Sequence, residues 1–156
     1  MKSILKNFLL IFAAFIISCD PAGSSFSPNP EPIIPAEINV GNGMFIFSFN
    51  NIDVEVFYHV PVSYSSSSKI VFGLHGGSRD AEGLRDNMIQ KSIDYNFILI
   101  APRFSSLNFS LGDGYNLGNV YVDGDNPTTS TLNDENEWSF SIIEPLFDSV
   151  KNSLSL

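Results

Sequence analysis

The alternation of apolar and polar positions predicts a pair of strands early in the folded part of the chain. Residues 44–50 (MFIFSFN) and 52–60 (IDVEVFYHV) are rich in aromatic and β-branched side chains, and the second run alternates apolar with acidic positions at its start. Such alternation is typical of a strand with one buried face. The polar pair Asn50-Asn51 between the runs predicts a tight turn, and therefore an antiparallel hairpin.

Two continuous apolar runs then flank a helical pattern. Residues 69–74 (KIVFGL) and 97–101 (FILIA) do not alternate, which indicates strands covered on both faces. Between them, apolar residues recur at helical spacing over 84–93, preceded by Ser78 and Asp80 as candidate helix caps. The order strand, helix, strand predicts a parallel pair with a right-handed crossover, and hence an α/β fold.

The pattern ends with a long polar segment and an amphipathic helix. Residues 104–133 are too many for a simple connection, so we expect a functional loop or a poorly ordered one. From Asp134, with Glu137 placed as in a capping box, apolar residues recur at every fourth position. Pro145 lies within this pattern, so the helix is either kinked there or begins regularly at Glu144 with the proline in its first turn.

The N-terminus has the features of an export signal. Lys2 and Lys6 precede a ten-residue apolar run at 8–17, which is too short to cross a bilayer as a stable helix. The run closes on Ile16-Ile17-Ser18-Cys19, which resembles the lipobox of bacterial lipoproteins, where cleavage before the cysteine leaves it as the lipidated first residue. The alternatives are an ordinary signal peptide with an incidental cysteine, or a short membrane anchor.

These features divide the chain into three parts. We expect a lipoprotein signal peptide at 1–18, a lipidated Cys19 that opens a Pro/Ser-rich tether at 19–42, and a partial domain at 43–156. Cys19 is the only cysteine, which excludes an internal disulfide and a cysteine-rich metal site. The expected location is the bacterial cell envelope, facing the periplasm or the exterior, with the membrane as partner through the lipid.

Charge argues against several classes of function. The formal net charge is −9, and residues 104–150 contain eight acidic side chains and no lysine or arginine. We therefore expect no nucleic-acid partner, because phosphate binding requires basic patches. Asp123-Gly124-Asp125-Asn126 invites a calcium interpretation, but Pro127 and Thr128 break the EF-hand pattern, so a solvated acidic loop without metal or cofactor is expected.

The segment Phe72-Gly73-Leu74-His75-Gly76-Gly77-Ser78, which follows a predicted buried strand, resembles the His-Gly-Gly loop of α/β-hydrolases. The succession of later segments extends the likeness: 101–104 (APRF), 115–120 (YNLGNV) and 138–148 (WSFSIIEPLFD). Together they resemble the secreted branch of the superfamily that includes poly(3-hydroxybutyrate) depolymerase-like and feruloyl-esterase-like proteins. The resemblance covers about residues 44–156 and corresponds to the first half of a domain, which implies an incomplete α/β-hydrolase-type sheet.

That resemblance implies an oxyanion hole in the loop. Backbone N–H groups held in place there would stabilise the negative charge of an acyl-transfer transition state, and glycines permit the close approach. The implied oxyanion-hole residues are His75, Gly76, Gly77 and Ser78, with His75 bracing the loop and not acting as a catalytic base. The alternative interpretation is that His-Gly-Gly is merely a turn between strand and helix.

The remaining catalytic parts are not found in the sequence. No G-x-S-x-G pentapeptide occurs, and the only histidines are His59 and His75, so no catalytic triad residues are assigned. We expect a membrane-anchored lipoprotein that carries the N-terminal part of an esterase-like hydrolase and is inactive alone. A complementing C-terminal hydrolase chain is a possible partner that would supply the rest. The alternatives are a lipid-anchored binding or structural module, and a small β-rich domain with a coincidental motif.

Overall fold

The computed structural model describes residues 37–156, so the expected signal peptide, Cys19 and most of the tether lie outside the described residues. The regular elements, in chain order, are β1 (Gly41–Phe49), β2 (Ile52–Val60), β3 (Lys69–Phe72), α1 (Ala81–Tyr95), β4 (Phe97–Pro102), α2 (Leu111–Tyr115) and α3 (Ile143–Ser153). In this part of the chain, no helix combines the length and the hydrophobicity that crossing a bilayer requires.

The predicted hairpin is confirmed. β1 and β2 pair antiparallel up to Phe49 opposite Ile52. Asn50 and Asn51 connect them with φ angles of 49° and 61°, as a two-residue type I′ turn requires. Asparagine tolerates this left-handed backbone better than most residues do. β1 begins at Gly41, two residues before the boundary expected for the domain.

The four strands form one mixed sheet in the order β1-β2-β4-β3. β2 is antiparallel to β1 and β4, whereas β3 and β4 are parallel, as the strand-helix-strand pattern predicts. β4 is buried on both faces after Phe97. The prediction that β3 is equally covered is wrong: its residues are half-buried or exposed, because among the described strands it pairs only with β4 and lies at the sheet edge.

Helix α1 covers one face of the sheet. Asp80 caps its N-terminus by accepting a hydrogen bond from the backbone N–H of Gly83 at 2.8 Å, and Ser78, the other candidate cap, lies before it in the loop. The fully buried positions of α1 are Ala81, Arg85 and Ser92, which share a face at helical spacing. Their cover explains why β2 is buried on both faces beyond its alternating start.

The opposite face of the sheet packs against residues 104–156. Val54, Val56 and Ile100 of the sheet meet Leu146 and Val150 of α3 in one hydrophobic core. α3 begins at Ile143, so Pro145 lies in its first turn, the second of the two predicted alternatives. The predicted capping box is wrong.

Two short 3₁₀ turns, Glu135–Glu137 and Ser139–Ile142, replace the first part of the expected helix. The side chain of Asp134 makes no capping hydrogen bond there. The long polar segment before them contains α2 and a single bridge between Tyr121 and Leu132. Most of this segment therefore lacks regular secondary structure.

Candidate functional site: the His-Gly-Gly loop

The His-Gly-Gly loop lies at the carboxyl edge of the parallel strand pair. β3 leads into His75, and β4 leads into Phe104, so both residues emerge at the same edge of the sheet. The two are joined directly, since the backbone N–H of Phe104 donates to Nε2 of His75 at 2.9 Å. In open α/β sheets, this edge is where binding and catalytic groups gather.

Both ring nitrogens of His75 are occupied. Nε2 accepts from Phe104, so Nδ1 carries the proton and donates to the carbonyl of Gly76 at 2.9 Å. Burial lowers the pKa of His75, and the nearby charges of Arg79 and Arg103 lower it further, against the opposing effect of the hydrogen bond to Gly76. His75 is therefore a neutral structural imidazole with no nitrogen left to accept a proton from a nucleophile.

Tyr115 and Arg79 hold the loop from its other side. The hydroxyl of Tyr115 donates to the carbonyl of His75, and the two rings lie 4.7 Å apart between centroids. The guanidinium of Arg79 lies 4.3 Å from the Tyr115 ring centroid and donates from Nη1 to the carbonyl of Phe104 at 2.5 Å. Contacts therefore run in a closed circuit through His75, Phe104, Arg79 and Tyr115, which fixes the loop on two connected strands.

The glycines of the loop present open backbone. Gly76 begins a turn in which its carbonyl accepts from the N–H of Arg79 at 3.0 Å. Within residues 37–156, the N–H groups of Gly76, Gly77 and Ser78 make no hydrogen bond to another protein group. A β-carbon built on Gly76 or Gly77 would meet no atom within 4 Å. The backbone of these three residues is therefore accessible, and their N–H groups are available to a ligand.

Ser78 has no base beside it. It is exposed in the loop, while the rings of His75 and His59 make their hydrogen bonds elsewhere. The sequence predicts Ser78 as part of the oxyanion loop, and the structure places it exposed in the turn that begins at Gly76.

The structure also brings a serine and a histidine together that the sequence did not connect. Nδ1 of His59 lies 2.8 Å from Oγ of Ser92, a distance suited to a nucleophile and its base. Ser92, however, is fully buried and donates its own proton to the carbonyl of Phe97 at 2.5 Å. Burial, followed by the charge of Arg85, lowers the pKa of His59. The pair joins β2, α1 and β4, and it cannot reach a substrate.

The acidic segment does not assemble a metal centre among the described residues, where no three His, Cys, Asp or Glu side chains are grouped for one. Asp123 instead folds its own loop: its carboxylate accepts from the N–H of Asp125 at 3.1 Å and from the side-chain amide of Asn126 at 3.0 Å. Such local bonds are those of an Asx turn.

Comparison with solved structures places this arrangement among known folds. Poly(aspartic acid) hydrolase-1 from Sphingomonas sp. KT-1 superposes with a TM-score of 0.64 at 29% identity, over 76% of this chain and 43% of its own. The fold is that of an incomplete α/β-hydrolase. LpqC, a poly(3-hydroxybutyrate) depolymerase from Bordetella parapertussis, has the same fold, with a TM-score of 0.62 at 18% identity over 75% of this chain and 39% of its own.

The chain spans less than half the length of each of these two hydrolases. No protein-family model and no curated protein matches the sequence. The α/β-hydrolase fold therefore rests on the structure and its neighbours.

Sequence reasoning found the loop but missed its supports. Arg79, Phe104 and Tyr115 contact His75 or one another from three separate segments, and no spacing along the chain links them. Tyr115 had the clearest signal, because it opens the YNLGNV segment that contributed to the hydrolase resemblance.

Proposed function

We propose that residues 37–156 form the oxyanion-hole half of an esterase-like serine α/β-hydrolase, anchored at a bacterial membrane through a lipidated Cys19. The observation that carries the proposal is the loop at Gly76, Gly77 and Ser78, whose N–H groups are unbonded within the described residues and whose conformation His75 fixes. Fixed N–H donors stabilise an oxyanion without reorganising, and each is worth about 3 to 4 kcal/mol by mutational loss.

The nucleophile, acid and base would come from a polypeptide segment outside these 156 residues. The sequence contains no G-x-S-x-G, and both of its histidines already serve the fold. β3 lies at the sheet edge with one side unpaired among the described strands, so a further strand can add there. That strand is where we place the missing nucleophile. The chain alone is then inactive.

The neighbours do not fix the substrate. Their names refer to two different polymers, poly(aspartic acid) and poly(3-hydroxybutyrate). We propose only the reaction class, hydrolysis of a carboxylic ester through an acyl-serine intermediate.

A chimera tests the oxyanion role. Residues 37–156 would replace the matching part of the Sphingomonas hydrolase, and p-nitrophenyl acetate turnover and fluorophosphonate labelling would be measured. We expect both signals, and a loss of about 100-fold in kcat for Gly77→Val, which fills the space beside the donors. Gly112→Val, at another exposed glycine with open space around it, is the matched control. Equal kcat values for the two variants would refute the oxyanion role.

The full chain by itself should give neither turnover nor labelling. Labelling of the full chain would instead reveal an activated serine within the 156 residues. The nucleotide sequence beyond the codon for Leu156 provides a second check, since an apolar strand followed by G-x-S-x-G, in any frame, supports a split or interrupted hydrolase.

Anchoring is tested separately. We expect the chain to fractionate with membranes and to carry acyl chains, and Cys19→Ser to abolish both the acyl mass and the membrane association. Cys19 is the only thiol, so an acyl mass that persists in the variant would contradict lipidation at this residue.

A second candidate is a lipid-anchored binding module without catalysis. The observation that favours it is a cleft of about 610 Å³ that none of the four loop residues lines. This function would be favoured if the chimera folds and is labelled, its kcat is unchanged by the loop variants, and a ligand binds in the cleft.

A further inference from the structure

The cleft lies at the turn end of the β1–β2 hairpin. Its base is formed by the buried side chains Val54, Phe109 and Ile142. Trp138 and the turn residue Asn50 also line it, so the cleft opens between the hairpin and the 3₁₀ turns that precede α3. At about 610 Å³, it has the size of a small-molecule site.

Several side-chain donors of the lining are directed to backbone carbonyls. The side-chain amides of Asn50, Asn119 and Asn133 donate to the carbonyls of Asn136, Glu137 and Asn119 at 2.7, 3.0 and 2.9 Å. The indole N–H of Trp138 donates to the carbonyl of Asn133 at 3.0 Å.

Each of these amides uses one of its two N–H groups in this way, and its side-chain oxygen can still accept a hydrogen bond from a ligand. The lining also contains the carboxylate of Glu137, and it includes no lysine, arginine or histidine among the described residues. A ligand that donates hydrogen bonds fits such a lining, and an anion does not.

Aromatic side chains in the lining and the surrounding charge favour a cation over a neutral donor. Phe49, Phe109 and Trp138 all line the cleft, and the faces of aromatic rings attract cations. The chain between Arg103 and Lys151, which supplies most of the lining, carries eight acidic groups and no basic one. The field of these carboxylates raises the local concentration of positively charged ligands.

We propose that this cleft binds a primary alkylammonium group, with the ammonium at Glu137 and the amide oxygens and the alkyl stem against Val54, Phe109 and Ile142. A primary ammonium has three N–H donors and no acceptor, which suits the carboxylate of Glu137 and the amide oxygens beside it. The site goes beyond the proposed hydrolase function, and it needs neither a nucleophile nor the His75 loop.

Trp138 provides the measurement, because it is the only tryptophan in the chain and lines the cleft. The full chain, kept in non-ionic detergent, would be titrated with butylammonium, butan-1-ol and butanoate. Tryptophan fluorescence and saturation-transfer NMR of the ligand methyl group would be recorded. We expect a saturable response to butylammonium, weaker binding of butan-1-ol and none of butanoate, with the ammonium affinity falling as salt increases.

A pair of charge variants locates the site. Glu137→Gln should weaken butylammonium binding about fivefold, the loss of a partly exposed ion pair, and leave butan-1-ol binding unchanged. Glu135→Gln removes the same charge from the same 3₁₀ turn, and its effect should be small, because Glu135 lines a different cleft on which Trp138 also borders. A larger effect of Glu135→Gln would place the ligand in that second cleft and overturn the proposal. Both side chains are exposed, and neither variant should disturb folding.

A primary ammonium group can come from a lysine side chain of a peptide or from a free amine. A titration with N-acetyl-lysine methylamide distinguishes these two sources. Tighter binding than butylammonium identifies a lysine side chain of a peptide, and weaker binding identifies a free amine. The proposal is overturned if butanoate or butan-1-ol binds as tightly as butylammonium, or if the Glu135 and Glu137 variants behave alike. It is also overturned if no ligand gives a saturable response by either readout.

Discussion

At the scale of single residues, His75 shows how burial converts a chemically versatile side chain into a fixed structural one. Its neutral ring is 5% exposed, donating to Gly76 and accepting from Phe104. A protonated ring could not accept from Phe104, which is why burial and this hydrogen bond both disfavour the charged form. The conformation of the loop therefore depends on a hydrogen-bond acceptor at the place of Nε2 of His75.

Replacing His75 with alanine should lower the free energy of unfolding by about 1 to 3 kcal/mol, because the buried N–H of Phe104 loses its acceptor. His75→Gln retains an acceptor and should cost less. Urea unfolding of the full chain measures both, with Ser78→Ala, at an exposed position, as the control expected to change little. A stability for His75→Ala equal to that of the control would show that the hydrogen bond contributes nothing.

The lowered pKa values of His75 and His59 predict a pH dependence. The unfolded chain takes up protons near the ordinary histidine pKa of 6.5, while the folded chain resists them until a lower pH. Stability should therefore be complete above about pH 6.5 and decline as the pH falls below it. Urea midpoints measured between pH 8 and 5 test this, and replacing either histidine with glutamine should make the decline shallower.

Two glycines should differ in how far the same added methyl group changes stability. A β-carbon at Gly43 would overlap the hydroxyl of Tyr58, a buried side chain, so Gly43→Ala should destabilise the fold by about 1 to 3 kcal/mol. Gly77→Ala meets only open space and should leave stability within about 0.5 kcal/mol of the parent. Thermal or urea unfolding distinguishes the two variants. An equal loss of stability at both positions would contradict the difference in free space around the two glycines.

At the scale of elements, the hairpin turn is the part in which local chemistry decides structure. Both Asn50 and Asn51 have positive φ, and Asn50 also bonds to the carbonyl of Asn136 in the distant 3₁₀ turn. Asn51→Val should destabilise the chain by about 1 to 2 kcal/mol, because a β-branched residue resists left-handed backbone. Asn51→Gly should be neutral or stabilising. Unfolding curves that rank the valine variant above the glycine variant would exclude a type I′ turn.

The elements also show what the sequence could and could not predict. The hairpin, α1 and the parallel pair follow from local periodicity, and each was found within a few residues of its true ends. The burial of Arg85 and Ser92 could not be predicted from local periodicity, because each side chain is hydrogen-bonded to a residue far away in sequence. Arg85 donates to the carbonyl of Gly43, and Ser92 bonds to His59. The His-Gly-Gly motif was visible, but the contacts that brace it come from separate segments.

At the scale of the whole molecule, the sheet is asymmetric. One edge is β1, and the other is β3, whose residues Ile70 and Phe72 pack on the main core while Lys69 and Val71 alternate to the other face. Unpaired strand edges with apolar side chains recruit other strands. This edge is where the proposed complementing segment would add.

Val71→Lys should reduce self-association of the full chain, because a charge on an edge strand opposes pairing with a second copy. Light scattering and sedimentation at increasing concentration provide the measurement. Val62→Lys, at an exposed loop residue, adds the same charge away from the edge and should have a smaller effect. Equal effects of the two variants would assign the change to net charge and not to the strand edge.

The contacts around His75 also connect the His-Gly-Gly loop with the cleft. Tyr115 donates to the carbonyl of His75 in the His-Gly-Gly loop. Four residues later Asn119 lines the cleft, and its N–H donates to the carbonyl of Asp113 in α2. A single short segment is therefore shared by both places. If a ligand in the cleft restrains that segment, the affinity of the loop for an anion changes. Thermodynamic reciprocity then requires that an anion bound at the loop change the affinity of the cleft for its ligand by the same factor.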